Sequence, residues 1–229
     1  MGDAALLPIS YRQARADFLD AAVAADARVR PSLHPRRGIE GEELFVDVAE
    51  VGPGDASDVV VVVSGTHGVE GYLGSALQRR HLASLAGGAL DGPTIVFIHA
   101  LNPFGFSWVR RVNEDNVDLN RNFVDWALPL RANPAYTELA DILVPGDWSA
   151  ATQERTLLEL LVKLEEVGMD RIQQVISGGQ YAHPTGVFYG GTAPVWSNRW
   201  LRGFLGDRLA SVRRAAIIER MASVAWLSK

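Results

Sequence analysis

Cysteine is absent from the 229 residues. Disulfides and thiolate metal sites are therefore excluded, and any bound metal must rest on histidine and carboxylates. Basic charge is also scarce. The balance of 22 Lys and Arg against 27 Asp and Glu, a formal net charge of −5, gives no global attraction for nucleic acid or anionic lipid. No apolar run approaches membrane-spanning length. The first residues, Met1 to Pro8, carry no basic stretch followed by an apolar core, so no signal peptide is expected. Leu6 stands where a myristoylation pattern needs Ser or Thr. Repeats and low-complexity tracts are missing too. These absences predict a cytoplasmic chain with neither nucleic acid nor membrane as partner. With 48% hydrophobic and 21% charged residues, a packed globular chain is expected.

What is present begins with five valines, Val59 to Val63, enough for a buried strand. They run into Ser64-Gly65-Thr66-His67-Gly68-Val69-Glu70. Open α/β sheets place ligands where such strands end. An imidazole and a carboxylate two residues apart can share one Zn²⁺ and leave it open to water. The same residues also suit a helix start, with Thr66 capping and Glu70 set against the helix dipole. A second apolar run, residues 94–101, leads into residues 102–123, dense in Asn, Asp and Arg yet retaining Trp108, Val117, Leu119 and Phe123. That mixture fits a polar site wall anchored on a core.

Three motifs now stand in order: His67-x-x-Glu70, Asn102-Pro103-x-Gly105-Phe106, and Asp118-Leu119-Asn120-Arg121-Asn122-Phe123. In this the chain resembles the zinc carboxypeptidase superfamily, near its deacylase branch of aspartoacylases and succinylglutamate desuccinylases. The likeness runs from about residue 45 to at least Phe123. A weaker one continues through Gly179-Gln180-Tyr181-Ala182-His183-Pro184 and Phe188-Tyr189-Gly190-Gly191, similar to a little-characterised branch.

The resemblance implies one Zn²⁺ held by His67 and Glu70, and hydrolysis of an amide beside a free carboxylate. Substrates would be small peptides or N-acyl amino acids. Asn120 and Arg121 would bind the substrate carboxylate, for which a guanidinium fork is better suited than an ammonium. Either Arg110 or Arg111 would stabilise the oxyanion. His183, in a loop before Pro184, is expected to line the substrate pocket or to cap the loop, with replacement of the third ligand as a further reading. Asp118 would orient Arg121 or cap the turn, and Asn102-Pro103 would end the strand.

The resembled family takes its third zinc ligand from a His at a later strand end. Here the matching run is Ala215-Ala216-Ile217-Ile218-Glu219-Arg220-Met221, with Met221 in the ligand position. Thioether is a poor zinc ligand beside imidazole. The sequence stops at Lys229, about where the family continues toward its general-base Glu. An alternative therefore stands beside the hydrolase: a degenerate, catalytically inactive relative. A serine hydrolase is poorly supported, because Ser64-Gly65 lacks the Gly-x-Ser-x-Gly elbow.

The fold class expected is α/β, a mixed, largely parallel central sheet flanked by helices, zinc-carboxypeptidase-like and incomplete at its C-terminus. It is read as a single truncated domain over 1–229, with a helix and linker over 1–40 packed on it. An uncovered sheet edge would then favour self-association. Residues 10–29 have helical spacing, with Ser10 as cap and Pro31 and Pro35 opening the linker. Strands are expected over 45–51, 59–63 and 94–101, with a helix over 72–85 making the last two parallel. Residues 133–177 read as helical, broken near Pro145-Gly146. Within them Leu157, Leu158, Leu161, Leu164 and Val167 form a stripe expected to be core. Residues 178–191 are expected as a loop. Residues 195–209 read as a helix burying Trp196, Trp200, Leu201, Phe204 and Leu205, and Ala215–Ile218 as the start of a strand. His34 and His81 are expected at the surface, and His99 as a satisfied core histidine.

Overall fold

A computed structural model describes residues 7–88, 92–210, 212–220 and 223–228. The elements in chain order are α1 (Tyr11–Ala24), β1 (Arg28–Arg37), β2 (Glu43–Val51), β3 (Asp58–Val63), α2 (Gly68–Leu85), β4 (Thr94–His99) and α3 (Pro103–Ser107). Short helices α4 (Leu119–Asn122), α5 (Pro134–Thr137) and α6 (Ala140–Leu143) precede α7 (Ala150–Val167) and α8 (Met169–Ser177). Helix α9 (Trp196–Arg208) and strands β5 (Arg214–Arg220) and β6 (Ser223–Ser228) follow. Contacts divide the chain into two units, one reaching to Glu114 and resuming at Trp196, the other Asp115–Val195.

The first unit holds one mixed sheet in the order β1-β2-β4-β3-β5-β6. Parallel pairing is confined to its middle: Val61 lies opposite Val96 of β4 on one side and Ile217 of β5 on the other. The remaining pairings, β1 with β2, β2 with β4 and β5 with β6, are antiparallel. The valine run is thus the central strand of a parallel trio, as its two-sided apolarity predicts. Met221 lies outside the described residues.

Residues 28–37 correct the sequence reading. Pro31 and Pro35 open no linker; both lie within β1, a strand at the sheet's edge. Proline lacks the N–H that a central strand must donate, and an edge strand tolerates that loss.

Helix α1 starts at Ser10, whose side chain accepts the Gln13 N–H. One face of the sheet is covered by α1 and α2: Phe18, Ala22 and Leu82 pack on Ala49, Val51 and Phe97. Asp47 and His99 are polar groups buried in this layer. Asp47 on β2 is fully buried and receives the Arg15 fork, Nε at 2.7 Å and Nη2 at 3.0 Å. Its cross-strand neighbour His99 is fully buried as well. The His99 ring stacks on Phe18 at 4.5 Å, and its Nε2 lies 2.9 Å from Ser75 Oγ. His99 is the core histidine expected, and His81 is exposed as expected. His34 is not at the surface. It is buried, accepts the Arg36 N–H at Nδ1, and places Nε2 3.3 Å from Glu114 with Trp196 edge-on to the ring.

Helix α9 is present, but its aromatic side is half-buried. Trp196, Trp200 and Phe204 stack in series, and the fully covered positions are Ser197 and Asn198.

In the second unit Tyr136, Leu139 and Ala140 pack on Ile172 and Val175 of α8. The α7 stripe departs from expectation. Only Leu164 packs against this core, while Leu157, Leu158, Leu161 and Val167 are each at least half exposed. Amphipathic spacing identifies an apolar face and says nothing about what covers it.

Two outcomes follow from the buried pair in the first unit. Arg15→Leu leaves the Asp47 carboxylate buried without its cation and should cost about 3–5 kcal/mol in urea unfolding. Burial, aided by the Arg15 charge, lowers the His99 pKa to about 3. The folded chain therefore refuses a proton that the unfolded chain accepts below about pH 6.5. Stability should fall by about 1.4 kcal/mol for each pH unit between there and pH 3. In His99→Phe that part of the pH dependence should vanish from the melting curves.

Candidate functional site

Both motifs that follow the parallel strands leave the sheet at one end and are tied together there. Ser64 N–H donates to Ile98 O at 2.9 Å, Leu101 N–H to Ser64 O at 3.0 Å, and Asn102 N–H to Gly65 O at 2.8 Å. Gly65 has φ +69, and a Cβ there would lie 2.9 Å from Ala100 Cα, so the turn requires glycine. Gln78 of α2, also buried, donates to Val62 O and Ile98 O and accepts the Ser64 hydroxyl at 2.9 Å. One amide side chain thereby bonds the penultimate carbonyls of two strands and fixes the helix to them.

Helix α2 begins at Gly68, whose N–H donates to Arg110 O at 3.0 Å; a Cβ on Gly68 would meet Gly105 O at 1.9 Å. Asn102 caps α3 through Gly105 N–H, and Pro103 occupies the first turn, so this pair starts a helix as well as ending a strand. Val109 has φ +51, a strained conformation for a β-branched residue, and it turns the chain so that Arg110 O faces Gly68.

His67 is the N-cap residue of α2, although its side chain makes no capping bond. Thr66 does not cap; its hydroxyl is buried without a hydrogen-bond partner among the described residues. The His67 ring is 2% exposed, and its Nδ1 lies 3.4 Å from each carboxylate oxygen of Glu70, which is largely exposed in the first turn. Arg111 Nη1 lies 3.7 Å from Glu70 Oε1. Arg110 meets Gly68 through its backbone carbonyl, and the Arg111 side chain stands beside Glu70.

Two donors on one tetrahedral zinc at about 2.0–2.1 Å are separated by about 3.3–3.4 Å. The His67–Glu70 spacing fits two ligands of a single ion. Among the described residues no group of three or more His, Cys, Asp or Glu is placed to hold a metal. Strand β5 runs parallel to β3 with Ile218 opposite Val62, so it ends on the side of the sheet where His67 leaves it.

The remaining sequence-derived residues belong to the second unit. Asp118 caps α4, Oδ1 accepting the Asn120 N–H at 3.0 Å. Half-buried Arg121 donates through Nη2 to Ser177 O at 2.5 Å, and Tyr181 O–H donates to Arg121 O at 2.7 Å. Gly179 makes room for it, since a Cβ would lie 2.5 Å from Arg121 Cδ. His183 Nε2 lies 3.0 Å from Thr137 Oγ1, its ring beside Tyr136. Asn122 carries a role the sequence reading did not assign. Fully buried, it donates to Gly190 O and Ala193 O and accepts the Val195 N–H. The signal was its place between Arg121 and Phe123 in the third motif.

A family model, described as protein of unknown function (DUF2817), matches residues 9–223. The chain belongs to that family. None of the curated proteins matches it. Similar solved structures include bovine thrombin-activatable fibrinolysis inhibitor in complex with tick carboxypeptidase inhibitor, at 14% identity and a TM-score of 0.49, covering 91% of this chain and 59% of that one. A metallo-carboxypeptidase from Burkholderia cenocepacia is 14% identical with a TM-score of 0.36, over 93% and 60% of the two chains. A protein described as succinylglutamate desuccinylase/aspartoacylase from Shewanella frigidimarina is 16% identical with a TM-score of 0.33, over 81% and 41%. The DUF2817 chain thus spans at most 60% of these proteins' lengths. Likeness at this level transfers no activity.

Gly68→Ala places a methyl group against the Gly105 carbonyl and should lower stability by about 1–3 kcal/mol. Arg111→Met, at a half-exposed position, should stay within about 0.5 kcal/mol of the parent. Parallel thermal melts check both.

Proposed function

We propose that this chain is the scaffold of a zinc-dependent hydrolase acting on an amide bond beside a free carboxylate. The reading is supported first by the 3.4 Å spacing of His67 Nδ1 and Glu70 at the carboxyl end of the parallel strands. His67 and Glu70 hold the ion, which supplies Lewis acidity when bound. Arg111, beside Glu70, holds positive charge where an oxyanion would develop. Asn120 and Arg121 take the substrate carboxylate by their place in the third motif, and His183 lines the substrate pocket. Arg121 is oriented by donation from Nη2 to Ser177 O and from Nη1 to Asn120 O at 3.4 Å. Small peptides and N-acyl amino acids are the substrate class.

A second reading, a relative that no longer turns over substrate, draws on the missing third donor among the described residues. Each absent ligand weakens zinc binding, because its position falls to water.

Elemental analysis of the purified chain, followed by assays on N-acyl amino acids and short peptides, separates the two. Hydrolase function requires near-stoichiometric zinc, chelator-sensitive turnover, and loss of both in His67→Ala and Glu70→Ala. Zinc-free protein with background turnover after zinc is added would leave the inactive relative.

A further inference from the structure

The first unit carries a second concave site, on the other face of the sheet from α1 and α2. Glu50 of β2 alternates with Ala49 and Val51, so it points away from those helices. It is only 4% exposed and is surrounded by guanidinium groups. Arg28 lies directly across the strand pair with Nη2 at 3.5 Å, and Arg30, two residues on, bonds the other carboxylate oxygen. Helix α9 contributes Arg208, whose Nε is 3.1 Å from Glu50 Oε2. These groups, with Phe204 and Asp207, line a pocket of about 490 Å³. That volume lies within the roughly 300–1,000 Å³ of small-molecule sites.

Stabilising Glu50 does not account for this arrangement. Arg208, 13% exposed, and Arg30 between them bond both oxygens of Glu50, and Arg28 adds a third cation where a single guanidinium fork can serve one carboxylate. Arg28 and Arg30 are more than half exposed and add two further cations at the rim. Three arginines against Glu50 and Asp207 leave the lining with one net positive charge. Donors also outnumber acceptors. A carboxylate offers about four lone-pair sites against about five N–H groups on each guanidinium. Nη2 of Arg208 is buried without a hydrogen-bond partner among the described residues. The wall beside these cations is aromatic: Phe204 stacks on Trp200 at 5.4 Å, and the Arg30 guanidinium lies 5.6 Å above the Phe204 ring.

We propose that this pocket binds a small molecule carrying one phosphate or carboxylate on an aromatic body, the anion held by Arg30, Arg28 and Arg208 and the body set against Phe204. Forked guanidinium groups suit either anion. The site is independent of the His67–Glu70 pair and does not rest on the proposed hydrolysis.

Calorimetric titration of the full chain at low salt with phenyl phosphate, benzoate and inorganic phosphate tests it. Saturable binding of phenyl phosphate or benzoate is expected, the tighter of the two identifying the anion. Arg30→Gln, an exposed position that leaves Arg208 on Glu50, should weaken that binding by about tenfold. Phe204→Ala should weaken it by about fivefold while affecting inorganic phosphate little. His67→Ala should leave it unchanged, so failure of the hydrolase reading would not disturb this result. Thermal melts confirm that each variant is folded. The proposal is overturned if neither aromatic anion binds, if Arg30→Gln binds as the parent does, or if inorganic phosphate binds as tightly as phenyl phosphate.

Discussion

The molecule's candidate chemistry depends on a backbone constraint: the segments leaving β3 and β4 are hydrogen-bonded to each other before either starts its helix. Ser64, Gly65, Leu101 and Asn102 exchange main-chain bonds, and Gly65 and Gly68 allow a separation that no side chain would permit. Gln78 closes the arrangement by bonding Val62 O and Ile98 O, one carbonyl near the end of each strand. Ile98 O also accepts the Ser64 N–H, so the Gln78 amide adds a second donor there and ties α2 to both strands. The position of His67 follows from these bonds. It is the residue between a strand that cannot shift and a helix whose first N–H is already committed to Arg110.

Much of this was legible in the sequence because it rests on local signals. An uninterrupted valine run marks a strand buried on both faces, and an intervening helix makes the next strand parallel. The three motifs marked the segments that leave the sheet and the α4 turn. Sequence did not show that Arg111 Nη1 lies beside Glu70, because that depends on how the backbone turns after the positive φ of Val109.

The errors were non-local in origin. Proline at 31 and 35 reads as a breaker in any local scheme, and only the strand's place at the sheet edge makes it acceptable. His34 looks like a surface residue until Glu114, eighty positions away, and Trp196 are brought against it. Leu157, Leu158 and Leu161 of α7 have the spacing of a core helix and yet are more than half exposed. Periodicity records that a face is apolar; burial is decided by what the rest of the chain can reach.

The prolines of β1 have a consequence beyond the fold. Strands from different molecules join when an exposed edge offers a continuous ladder of donors and acceptors. Pro31 and Pro35 each delete an N–H from β1, and charged side chains (Arg28, Arg30, Arg36 and Arg37) crowd the same ten-residue strand. An incoming strand would meet missing donors and like charge together, so this side of the sheet resists recruitment into extended β aggregates.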